Sequence, residues 1–125
     1  HREDLAIVAK LFELIIQYKM RDHAALDTRI KSLTENLKYN QNLHDFERIV
    51  LRYLSRLIKN QQALMLQPED EKAEALIVFT AFQEELNQLR HNTEAKIPNG
   101  FEAILLWITS EIEGKSFVDL LSPPK

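Results

Sequence analysis

The chain contains no cysteine and only two glycines among its 125 residues. Without cysteine there is no disulfide scaffold, no thiolate zinc site, no iron–sulfur cluster and no cysteine nucleophile. The glycine content lies far below the average usage of about 7%. A β-sandwich or barrel recruits glycine for turns roughly every 10 residues. A phosphate-cradling loop needs several glycines close together. Both are excluded. No run of about 18 uncharged apolar residues is present to span a membrane. There is also no basic segment followed by an apolar stretch of the kind that opens a secretory signal.

What is present suits a compact helical domain. The chain is 45% hydrophobic and 28% charged, and this length buries roughly two-thirds of the unfolded surface as one domain. It starts with His1 directly in helical pattern. It therefore reads as a single all-helical domain over 1–125, cut from a longer protein or processed from one. A cytoplasmic location fits the missing cysteines.

Hydrophobic spacing gives five helices and a short sixth. Leu5 to Met20 is apolar nearly all round, the pattern of a helix buried by neighbours on several sides. Asp22 is placed to cap a second helix, whose Leu26, Ile30, Leu33 and Leu37 share one face and which ends around Tyr39–Asn42. In the third, Phe46, Ile49, Val50, Tyr53, Leu54, Leu57 and Ile58 form the inner face, and the helix runs out near Asn60. Pro68 suits the first position of the fourth, followed by Glu69, Asp70 and Glu71 at its positive end. Ala75, Phe79, Phe82, Leu86 and Leu89, with Leu76 and Val78, form its inner face as far as His91–Asn92. Pro98-Asn99-Gly100 breaks the chain before a fifth helix, Phe101–Glu113, with Gly114 in position for a left-handed end. Ser116 then heads a final turn over Phe117–Leu121, stopped by Pro123-Pro124. Helices of this length on short loops pack antiparallel to their sequence neighbours. The result is either stacked hairpins of an α-solenoid or an up-and-down bundle, and the apolar first helix favours the solenoid.

Charge is unevenly placed. The net charge of −3 divides into +3 over residues 21–60 (8 basic, 5 acidic) and −6 over 61–125 (5 basic, 11 acidic). The plain reading is that the two parts face and neutralise each other; the alternative is a basic patch for an acidic partner.

Side chains that carry chemistry are sparse. The histidines at 1, 23, 44 and 91 form no His-Glu-x-x-His and no Glu-x-x-His pair. That leaves no helical metal edge and no di-iron site. His91 with Glu94 reads as charge compensation at a helix end, and His44 as part of a capping region. Glu84-Glu85 and Glu111/Glu113 point to different helix faces and read as solvated charges. No serine sits in a nucleophile elbow. Trp107 and Tyr53 lie on inner faces and read as core. No cofactor or metal is implied, and the chain does not read as an enzyme.

One stripe invites a binding role. Arg48, Arg52 and Arg56 repeat at a spacing of four on the polar side of the third helix, with Lys59 close by. A spacing of four drifts by only about 40° per step, so the three share a broad face. Guanidinium groups grip carboxylate or phosphate bidentately. The stripe fits an acidic peptide or protein partner, or salt bridges to the acidic fourth helix, or a solvated outer face. Nucleic acid is disfavoured, because phosphate binding draws on more basic charge than the chain has.

Two stretches carry a family resemblance: Leu26-Asp27-Thr28-Arg29-Ile30-Lys31-Ser32-Leu33 leading to Leu43-His44-Asp45-Phe46-Glu47-Arg48, and Trp107-Ile108-Thr109-Ser110-Glu111-Ile112-Glu113-Gly114-Lys115-Ser116-Phe117. Together they resemble the C-terminal helical region of uncharacterised bacterial proteins with tetratricopeptide-like repeats. The resemblance implies an α-solenoid end that scaffolds other proteins and supplies no catalytic residue. The expectation is thus a non-enzymatic protein-interaction module of helical-repeat type. A phosphotransfer or enzymatic helical bundle, or nucleic-acid binding through the basic middle, stands as the alternative.

Overall fold

The structure is a computed structural model that describes residues 2–39, 45–63, 67–92 and 100–115, with side chains described from residue 9 onward and not for 36–39. Five helices account for nearly all of it: α1 (Arg2–Lys19), α2 (His23–Tyr39), α3 (Asp45–Gln62), α4 (Pro68–His91) and α5 (Phe101–Glu113). No strand occurs among the described residues, and no helix there is long and apolar enough to cross a membrane. The Pro98-Asn99 breaker, the Ser116 cap, the final turn over Phe117–Leu121, His1, His44, Glu94 and the Leu37 side chain lie outside the described residues.

Each helix packs on the next in sequence, and α1 also lies on α3. The α3–α4 contact is sealed by aromatic stacking. The Tyr53 ring lies nearly flat on Phe82, 4.8 Å between centroids and 7° between planes. Phe46 of α3 meets Phe101 of α5 at 5.6 Å. Tyr18 of α1 reaches both Phe79 of α4 and Trp107 of α5 edge-on, at 6.3 and 6.2 Å. Such pairs add about 0.5–1.5 kcal/mol each beyond the area they bury.

The inner face read for α3 is buried, with Ile49 half-buried, and Leu51 joins it. Leu51 falls outside the simple heptad-like spacing because α2 as well as α4 packs on α3, which widens the buried arc. The start of α4 is as its composition requires. Pro68 occupies the first turn, and Glu69, Asp70 and Glu71 follow, while Gln67 at the cap position makes no side-chain hydrogen bond to the helix.

Two inner-face readings need correction. Leu76 is exposed rather than buried, and so is its neighbour Ile77 (63%). Leu76 lines an open cleft between the ends of α1 and α5 and the start of α4, and Ile77 lies in solvent. The first helix is not enclosed all round either: Leu11, Leu14, Ile15 and Tyr18 are buried, while Ile16 is 57% and Met20 73% exposed. The helices packed on α1 meet one side of it, and its many apolar residues exceed what that side can cover.

The α1–α2 turn is closed by hydrogen bonds from Arg21 N–H to the Tyr18 carbonyl (3.0 Å) and from Asp22 N–H to the Gln17 carbonyl (3.1 Å). This paired closure places the intervening residue in the left-handed region. Arg21 occupies it, at φ 60°. Asp22 stands just before α2, and its carbonyl accepts the Leu26 amide (3.0 Å). Gly114 closes α5 at φ 70° in the same way, with the Lys115 amide reaching the Ser110 carbonyl (3.0 Å).

Candidate functional site

The stripe on α3 forms an exposed ridge, and its Arg48 and Arg52 border two surface grooves. Arg48, Arg52 and Arg56 are all exposed. On one side, a groove of about 350 Å³ against α2 is floored by Ile30 and Leu51 and edged by Lys31, Glu35, Arg48 and Arg52. On the other, a groove of about 490 Å³ against α4 contains Ile49, Leu89, Asp45, Glu85 and the same two arginines. The ridge exists because the inner face of α3 is apolar apart from Glu47, which turns the residues at the four-residue spacing to solvent.

The three guanidinium groups are not equivalent. Arg52 is ion-paired with Glu85 of α4. Glu85 also accepts the hydroxyl of Tyr53, so one carboxylate ties two α3 side chains to α4. Burial raises the Tyr53 hydroxyl above its ordinary range, and the nearby Glu85 charge and this hydrogen bond add to the rise. Arg52 and Arg56 both lie over the Tyr53 ring, at 5.2 and 5.1 Å from its centroid. This is cation–π range, where the ring's negative face attracts the cation. Neither Arg48 nor Arg56 has an ion-pair partner among the described residues.

A larger cleft, of about 680 Å³, opens where the end of α1, the start of α4 and the end of α5 converge. Tyr18, Ala75, Leu76, Phe79 and Ile112 supply its apolar lining. Two ion pairs cross it: Lys19 to Glu111 at 2.5 Å and Arg21 to Glu71 at 2.8 Å. Gln61, which lines it, accepts from His23 Nε2 at Oε1 (2.7 Å) and also hydrogen-bonds the Tyr18 hydroxyl. Burial first, then the charges of Glu111 and Glu71, hold the Tyr18 hydroxyl far above the ordinary tyrosine value. The cleft combines neutralised charge with a tyrosine that keeps its proton.

The structure corrects the reading of two carboxylates as solvated. Glu85 and Glu111 are half-buried and paired across helices, whereas Glu84 and Glu113 are exposed. Helix periodicity places these residues on a face but does not say which neighbour faces them. Trp107 and Tyr53 are buried as read. Two features carry no sequence signal: the cleft, and the burial of Glu47 (3% exposed) in the first turn of α3. A lone acid between Phe46 and Arg48 looks like an ordinary helix-start charge. His91 ends α4, where its charge suits the dipole. Among the described residues no group of three or more His, Asp or Glu side chains converges on a metal position.

Comparison with protein-family models, with curated proteins and with solved structures finds no match to this chain.

Proposed function

We propose that the chain is a non-enzymatic, cytoplasmic helical-repeat module that binds a protein or peptide partner, its helices stacked as antiparallel hairpins in the tetratricopeptide-like manner. One observation carries the binding reading: α3 exposes a ridge of three arginines, of which Arg48 and Arg52 line two grooves of the α2–α3–α4 surface. Such a surface gives apolar anchor points with flanking charge to set register. The hairpin arrangement is supported by contacts between helix ends. His23 at the start of α2 meets Gln61 at the end of α3, and Asn60 there donates to the Glu71 carbonyl near the start of α4 (3.1 Å). The packing of α1 on both α2 and α3 is what a second stacked hairpin produces.

The test is selection of a random peptide library on the immobilised chain, followed by solution titration of the enriched sequences. The reading expects a saturable binder whose affinity falls when Arg48, Arg52 and Arg56 are all replaced by Ala. Recovery of no saturable binder contradicts it.

A further inference from the structure

Resting on that reading, we infer that the groove between α2 and α3 is a phosphate site, in which Lys31, Arg48 and Arg52 take the phosphoryl group of a phosphorylated serine or threonine in a partner protein.

The groove carries three cations from two helices, Lys31 from α2 and Arg48 and Arg52 from α3, against one acid, Glu35. Arg48 makes no ion pair among the described residues. The other two hold pairs that are partly in solvent, Arg52 with Glu85 and Lys31 with Asp27 of its own helix (3.2 Å). Such pairs gain little over hydration, so both cations can turn to a stronger anion. A carboxylate has two oxygens in one plane, and a single guanidinium fills them. A phosphate monoester brings close to two charges and three strong acceptor oxygens. That capacity matches cations on both walls of the groove.

A hydroxyl in the same groove is uncommitted. Ser55 is half-buried, lines the groove and makes no hydrogen bond among the described residues. The helical threonines behave otherwise. Thr34, also in the groove, donates to the Ile30 carbonyl (2.7 Å), and Thr28, Thr80 and Thr109 likewise bond the carbonyl four residues back. Ser55 therefore keeps its proton for a ligand oxygen. At 100° per residue, Arg48, Arg52 and Ser55 fall within about 60° of arc on α3, so the three donors belong to one wall. Ile30 and Leu51 beneath them are buried and apolar. A lower local dielectric over such a floor strengthens a charge-assisted hydrogen bond.

The test is a randomised peptide library with one fixed phosphoserine, selected on the immobilised chain, with the enriched peptides titrated by fluorescence anisotropy. Binding is saturable and falls about tenfold or more when Ser replaces the phosphoserine, the range of lost charge-assisted contacts. Arg48→Ala and Lys31→Ala each weaken it about five- to tenfold, and Ser55→Ala about threefold. Glu35→Gln tightens it about twofold, since it removes the acid of the groove. Arg56 does not line the groove, and Arg56→Ala changes the affinity less than about twofold. Failure to enrich any peptide, or equal binding of the Ser and phosphoserine forms, overturns the phosphate site. Equal losses for Arg56→Ala and Arg48→Ala overturn the groove in favour of diffuse charge. Inorganic phosphate that binds as tightly as the peptides, or a duplex oligonucleotide that binds more tightly, overturns the partner protein. A neutral library peptide that binds saturably while no phosphopeptide does leaves the module reading intact and sinks this one. Circular dichroism of each variant confirms that the substitutions leave the fold unchanged.

Discussion

Arg21 and Gly114 occupy the same backbone region at the ends of two helices, one with a Cβ and one without. No neighbour among the described residues lies within 4 Å of where a Gly114 Cβ would stand, so Gly114→Ala meets only the backbone penalty there. It should cost about 1 kcal/mol in urea denaturation. Arg21→Gly relieves the same penalty and loses an exposed pair with Glu71 worth at most about 1 kcal/mol. In 1 M salt, where screening acts within about 3 Å, Arg21→Gly should raise the denaturation midpoint. A fall at high salt would show that Arg21 contributes more than its charge. Tyr18 gives a pH signature at the same scale. Its folded hydroxyl resists ionisation, while the unfolded one ionises near the ordinary value of about 10. The unfolded state therefore sheds the proton first as pH rises. The stability tied to the neutral form is complete below about pH 10 and is lost above it. Tyr18→Phe should flatten that alkaline decline, measured as denaturation midpoint against pH. An unchanged decline would assign it to other groups.

At the scale of elements, α3 and α4 were the most legible part of the chain. The i, i+3, i+4 spacing from Phe46 to Ile58 and the Pro68–Glu71 start needed only helix geometry and the dipole. Spacing failed where a residue's fate depends on a second helix. Leu51 is buried because α2 packs there, and Leu76 is exposed because it lines the open cleft between the ends of α1 and α5. The interface yields a contrast between neighbours on α4. Phe82→Ala removes a fully buried ring stacked on Tyr53 and should cost about 3–5 kcal/mol. Ile77→Ala should stay within about 0.5 kcal/mol, since its side chain is largely in solvent. A double-mutant cycle on Arg52 and Glu85 should return a coupling of about 0.2–1 kcal/mol, because both groups are partly exposed.

Across the whole molecule, the division into a basic middle and an acidic C-terminal part now has a physical form. Arg21–Glu71 and Arg52–Glu85 join the two parts across helices. Sequence alone offered a partner site, salt bridges to the fourth helix and a solvated outer face as readings of the arginine stripe. The structure divides the stripe between them, giving Arg52 to the bridge and leaving Arg48 and Arg56 open. That division was illegible in the sequence, because a four-residue spacing makes the three positions look alike and only the register of α4 sets Glu85 opposite the middle one. The large cleft was invisible for a related reason: its walls come from the ends of three helices, and no short stretch of chain carries its pattern.

The most direct test of the central claim is a charge swap. Arg48→Glu/Arg56→Glu protein is titrated with a Glu-bearing peptide enriched from the library and with the same peptide carrying Lys at those positions. The account predicts that the variant loses the Glu peptide and gains the Lys peptide, while wild type does the reverse. A variant that binds both peptides as wild type does would contradict it.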